Sequence, residues 1–160
     1  MRNNILHAWL CAIAVLLASL SSCDTADTAY HHYCDVNQEG WVNRDTLRFS
    51  VDTIRRFGDY VTYVCVRTLP DYPYRNLSLT VEQTNITKGK SAGKMRKTIK
   101  LNVTDKEGIR QGNGITYHTI EVPLYKNWFG PGDSLRVTVS HNMSRESLPG
   151  LMAVGIKLKR

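Results

Sequence analysis

The sequence predicts an all-β protein, an antiparallel β-sandwich of about seven short strands. Apolar residues alternate with polar ones in segment after segment from Asp45 onward. No stretch beyond the N-terminal leader sustains a helical period, and Gly, Pro, Asn and Asp clusters separate the alternating segments. A small closed barrel is the runner-up architecture.

The strands follow in order. In Thr46–Asp52, Leu47, Phe49 and Val51 alternate with Arg48 and Ser50, the pattern of a half-buried strand. Gly58-Asp59 breaks the chain, and Tyr60–Thr68 follows with apolar side chains on both faces, as a central strand carries. Pro70 and Pro73 fix a loop at 69–76. Leu77, Leu79 and Val81 alternate again; a basic connection, 88–97, leads to Ile99, Leu101 and Val103. Gly108, Gly112 and Gly114 suit turns that need positive φ. Ile115 and Tyr117 are odd while Ile120, Val122 and Leu124 are even, a change of phase that predicts a bulge near His118 or Thr119. Trp128–Gly132 reads as a tight turn, then Leu135–Val139 and Met152–Leu158 supply the last strands. Short helices fit at 124–128 and 144–148. Trp41, after Gly40, is expected to pack against the domain edge.

The N-terminus has a different character. Arg2 supplies positive charge, Ala8–Ala18 is an uncharged apolar core, and Leu20-Ser21-Ser22-Cys23 closes the segment. The apolar run falls short of the ~20 residues that span a bilayer. It looks like a bacterial lipoprotein signal, with 1–22 removed and lipid placed on the Cys23 sulfur; an uncleaved anchor and a plain secretory signal are the alternatives. The domain plan is then 1–22 signal, 23–45 lipidated Cys and polar tether, and 46–160 sandwich. Removing 22 of the 160 residues leaves 138, enough for one core. The signal carries Arg2 and no acid, so the formal charge falls from +7 to +6. On an exported chain that charge points to anionic headgroups or glycans rather than nucleic acid.

Cys11 leaves with the signal and Cys23 takes lipid, so Cys34 and Cys65 are the one disulfide pair possible in an oxidising compartment. The alternative is a buried free thiol at Cys65. The sequence holds no nucleophile elbow, zinc-protease helix or phosphate loop, and Ser140-His141 is read as a hydrogen-bonded strand end. The reading is therefore of a non-enzyme without cofactor. His31, His32 and Cys34 are metal-capable types, but their spacing matches no standard zinc site, so no metal is expected.

The loop with Tyr72, Tyr74, Arg75 and Asn76 is the candidate partner-binding site. Its rings either meet a protein or sugar or plug the end of the sandwich. The basic stretch 88–97 is read as a solvated hairpin tip, with contact to anionic lipid or polysaccharide as the alternative. Asp-Thr/Ser-apolar triplets resemble the O-glycosylation acceptor of exported Bacteroidota proteins, and two of them put Thr25 and Thr28 in the tether.

The lipobox, Gly40-Trp41, Leu47–Val51, Asp71-Tyr72-Pro73-Tyr74-Arg75-Asn76-Leu77, Gly112-Asn113-Gly114, His141-Asn142-Met143, Leu148-Pro149-Gly150 and Val154-Gly155-Ile156 together resemble the gliding-motility lipoprotein family GldH of Bacteroidota. The likeness covers nearly all of the mature chain. It implies a membrane-anchored component of the envelope machinery for gliding and type IX secretion, placed at the outer membrane in a leaflet the sequence does not specify. Its partners would be the membrane, through acylated Cys23, and other envelope proteins. A glycan-binding surface lipoprotein is the rival reading, using the same aromatic loop.

Overall fold

Alternation along the chain becomes alternation between core and surface in two antiparallel sheets. The computed structural model describes residues 27–37 and 39–160. Its strands are β1 (Thr28–Asp35), β2 (Trp41–Val42), β3 (Leu47–Val51), β4 (Gly58–Thr68), β5 (Asn76–Thr87), β6 (Lys90–Asn102), β7 (His118–Phe129), β8 (Ser134–His141), β9 (Ser147–Leu148) and β10 (Leu151–Lys159). One sheet runs β1-β10-β4-β7 and the other β3-β8-β5-β6, while β2 and β9 form a short ribbon.

The two sheets close on one core. Val64, Val66, Ile156 and Leu158 of the first sheet share it with Leu79, Val81, Val137 and Val139 of the second. Polar links also cross the interior. The Tyr125 hydroxyl donates to the Val81 carbonyl at 3.3 Å, and the buried Gln83 amide donates to Asn127 Oδ1 at 2.9 Å. Trp41 is 1% exposed, and its indole N–H donates to the Asp45 carbonyl at 2.9 Å.

The sandwich is the expected one, and all seven expected strands are present. Five details differ. First, the fold begins at β1 rather than after residue 45. Thr28–Asp35 pairs with β10 over its length, so the stretch read as tether is the edge strand of a sheet. Second, the basic connection at 88–97 is mostly strand. Only Lys88 and Gly89 turn, both at positive φ (50° and 74°), as a two-residue hairpin loop requires; Lys90–Lys97 then pairs with Val81–Thr87. Third, no bulge stands at His118 or Thr119: β7 begins at His118 and pairs there in regular register, and Ile115 before it is 98% exposed, while a separate shift of the opposite sense lies further along β7. The register shifts opposite Thr62/Tyr63, where Tyr125 and Pro123 pair and Leu124 is the extra residue. Inward-facing positions are even before it and odd after it, which is how Tyr125 and Asn127 reach the interior. Fourth, 124–128 lies inside β7. Fifth, 144–148 holds a bend and β9, so neither expected helix forms. The glycine turns are as expected: Gly108, Gly112 and Gly114 all have positive φ, and at Gly112 a Cβ would collide with the Thr119 carbonyl.

Candidate functional site

Cys23 and Thr25 lie outside the described residues. Thr28 opens β1 opposite Lys159, half-buried in paired backbone. Among the described residues no helix is long and apolar enough to cross a membrane.

The loop between β4 and β5 divides its aromatic residues. Tyr72 is 3% exposed and belongs to the core. Its hydroxyl donates to the Asn76 carbonyl at 3.1 Å, and its ring meets Tyr74 edge-on with centroids 5.6 Å apart. Burial drives its hydroxyl pKa far above the ordinary tyrosine value, with Tyr74 adding to the shift. Tyr72 thus plugs the sandwich end and is removed from the surface a partner could touch. Tyr74 packs half-buried against the core. Arg75 stays exposed, donates to the Asp105 carbonyl at 2.8 Å, and its own carbonyl accepts from Val103 at 2.8 Å. Asn76 is half-buried at the start of β5. The surface of this loop is therefore Pro70, Asp71, Pro73, Arg75 and part of Tyr74.

The Cys34–Cys65 bridge does not form; both thiols are free. Cys34 lies in the row Cys34–Val154–Val66, and Cys65 in the row Tyr33–Gly155–Cys65. Strand β10 runs between them, which sets their Cα atoms about 10 Å apart by two strand spacings. A disulfide needs less than ~7 Å. Neighbouring rows of a pleated strand also point to opposite faces: Cys34 packs on the core, while Cys65 faces away from it.

That outer face carries a cluster which sequence spacing does not reveal, because its members come from four strands. Gly155 has no side chain, so the Tyr33 ring lies flat across β10; a Cβ there would stand 2.7 Å from the Tyr33 ring and 2.9 Å from the His32 carbonyl. Beneath and beside that ring are Cys65, fully buried, and Glu121 of β7. The donor atoms of His31, Cys65 and Glu121 all lie within 4.8 Å of one another. The Lys157 ammonium donates to both Glu121 carboxylate oxygens, at 3.1 and 3.3 Å. The Arg67 guanidinium stacks 3.7 Å over Tyr33 and 4.9 Å from Tyr117. Its Nε is buried without a hydrogen-bond partner.

Electrostatics make the cluster quiet. Burial first, and then the Glu121 charge, push the Cys65 thiol up to about 12. Burial, then Cys65, carry the Tyr33 hydroxyl to about 12. Burial and the Lys157 charge hold His31 below its ordinary value. A protonated thiol at neutral pH is a poor nucleophile. His31, Cys65 and Glu121 are donor types of a zinc-class site, but Lys157 already pairs the carboxylate, and with Arg67 it opposes a further cation. His32 and Cys34, the other metal-capable residues of β1, face the core side, where His32 meets Phe49 edge-on at 6.4 Å.

His141 is likewise a structural residue. Its Nε2–H donates to the Trp41 carbonyl at 3.1 Å while Nδ1 accepts from the Met143 N–H at 3.4 Å, so both ring nitrogens are occupied in the neutral form. Burial lowers its pKa, partly offset by the Trp41 and Glu146 backbone bonds.

Against known proteins, a family model described as GldH lipoprotein matches residues 28–158. No curated protein matches. Among solved structures, the T13 particle of infectious bursal disease virus aligns at TM-score 0.40 and 14% identity, covering 82% of this chain and 29% of that one. A CocE/NonD family hydrolase from Staphylococcus aureus aligns at 0.35 and 9%, covering 84% and 31%. Eiger TNF from S. frugiperda aligns at 0.29 and 16%, covering 84% and 93%. Similarities this low carry no argument about function.

Proposed function

Because the chain belongs to the GldH lipoprotein family, we propose that it is a non-enzymatic, lipid-anchored protein of the cell envelope, part of the machinery associated with gliding motility and type IX secretion. The observation that carries this reading is a junction. The family match and the first strand both begin at residue 28, five residues after the lipobox cysteine. A thioether lipid on Cys23, with a further acyl chain on the new amine, makes a stable anchor where one chain alone gives marginal binding. The outer membrane is the proposed location. A sugar at Thr25 or Thr28 belongs to the same reading, and the intact mass of the mature protein tests it.

The partners proposed are other envelope proteins, met at the end of the sandwich away from the anchor. Thr28 is level with Val61 of β4, seven residues or about 23 Å before Thr68, so the 69–75 loop stands at the opposite end from the start of β1. There Pro73, Arg75 and the free edge of Tyr74 face outward. With Tyr72 committed to the core, the loop offers a sugar ring no broad aromatic platform, which favours a protein partner over a glycan. Capture from crosslinked envelopes tests the reading. Recovery of motility or secretion components by the native protein, reduced by Arg75→Ala, supports it; an unchanged partner set in Arg75→Ala removes the loop from the interface, and saturable glycan binding would favour the rival.

A further inference from the structure

The strand directions bring several basic side chains, with Asp27, Asp52 and Asp59 among them, to the end where β1 begins. At that end β4 starts at Gly58 opposite Phe129, β10 finishes at Lys159 opposite Thr28, and the β5–β6 hairpin turns at Lys88 and Gly89. The hairpin projects past the neighbouring strand, since β8 begins opposite Ile86. Between the sheets a cleft of about 490 Å³ is lined by Arg55, Arg56 and Arg160 together with Asp27, Thr28 and Asp52. Among the described residues, none of Arg55, Arg56, Arg160, Lys88 and Lys90 belongs to an ion pair.

Two large aromatic side chains stand at the same end. Phe57 is 64% exposed and Trp128 is 62% exposed, with ring centroids 5.5 Å apart. A fold that buries Trp41 to 1% leaves these two rings together in water, tilted 31° to each other, with the Asp59–Lys126 pair next to Trp128 and Arg55 and Arg56 just before Phe57 in the chain. An amphipathic Trp and an apolar Phe on a surface that also carries basic residues are the composition that seats at a bilayer interface. The approach is also constrained. Five residues from Cys23 to Thr28 span at most ~18 Å fully extended.

We propose that this end is a membrane-apposed face, on which Phe57 and Trp128 seat in the interfacial layer while Arg55, Arg56, Arg160 and the Lys88–Lys90 turn contact the phosphates of an anionic phospholipid bilayer. It rests on the lipid-anchor reading above and adds to it an orientation: the domain lies against the leaflet by this face, with the Tyr74–Arg75 loop pointing away. The short tether supplies the high local concentration that a weak surface contact needs.

The test uses the full lipidated protein in vesicles of phosphatidylcholine with and without phosphatidylglycerol, some lipids carrying a shallow doxyl quencher. Trp41 and Trp128 are the tryptophans left once the signal is removed, and Trp41 is buried. Quenching is expected on anionic vesicles, absent in Trp128→Phe, and reduced by salt. The Arg55→Ala/Arg56→Ala pair, both at exposed positions, is expected to lower the apposed-to-free ratio by roughly fivefold per arginine with an unchanged thermal transition. Native protein quenched no more than Trp128→Phe, with lipid present on Cys23, overturns the inference and leaves the anchor standing. Absence of lipid on Cys23 overturns the anchor reading itself, a separate result by mass.

Discussion

Replacing Tyr72 by Ala separates a structural ring from a recognition ring. The side chain is 3% exposed, packs edge-on against Tyr74, and ties its hydroxyl to the Asn76 carbonyl. Truncating a buried aromatic side chain to Ala costs about 3–5 kcal/mol in a core that only partly collapses. Removing the hydroxyl alone, in Tyr72→Phe, costs about 0.5–1.5 kcal/mol for one net hydrogen bond. With a urea m-value of roughly 2 kcal/mol/M, the Ala variant loses about 2 M from the unfolding midpoint and the Phe variant well under 1 M. Urea titration followed by near-ultraviolet circular dichroism reads both. Because Arg75 is exposed, Arg75→Ala is expected to move the midpoint by less than about 0.3 M, since surface changes stay within ~0.5 kcal/mol. A Tyr72→Ala midpoint within that margin of the native protein would refute the assignment of Tyr72 to the core.

Three further outcomes follow from the same geometry. Without reductant, the denatured mature protein shows both Cys34 and Cys65 as titratable thiols, and in the native state at pH 8 Cys65 resists iodoacetamide; a thiol count that rises on reduction would contradict the free-cysteine structure. Gly155→Val drives a side chain into Tyr33 and the His32 carbonyl, so β1 is expected to lift from β10, read as loss of amide-exchange protection over 28–35 while β5 and β8 keep theirs. Stability is expected to fall on both sides of neutrality, by urea midpoints across pH. His141 has a depressed folded pKa, so its contribution is present above its unfolded value near 6.5 and is lost as pH falls through the lower folded value. Cys65 has a raised one, so its contribution is complete below about 9 and is lost as pH climbs toward 12.

The core strands were legible because their burial is one-sided. Leu47, Phe49 and Val51 in β3, and Leu77, Leu79 and Val81 in β5, face one core, and the alternation of the chain is the alternation of the sheet. Strand β1 was not legible. Tyr30-His31-His32-Tyr33 puts amphipathic side chains on both faces, because one face meets the core rim and the other the Cys65–Glu121–Lys157 cluster. The first half of β6 hid for another reason. It is an edge strand, paired on one side only with β5, where lysines discourage pairing with other chains and no apolar period is needed. The two-residue ribbon β2–β9 is too short to leave a pattern. The aromatic loop was legible as a feature, but which ring faces inward depends on the packing of the sandwich end. The outer-face cluster was hidden altogether, since His31, Cys65 and Glu121 meet only through the register of β1, β10, β4 and β7.

In the proposed function, lipid on Cys23 ties the folded domain to a membrane. Mass spectrometry of the mature protein isolated from its own envelope tests that most directly. The expected N-terminal peptide begins at Cys23 and carries a thioether-linked diacylglyceryl group and an acylated amine. A mature N-terminus at any other residue, or an unmodified Cys23 thiol, would contradict it.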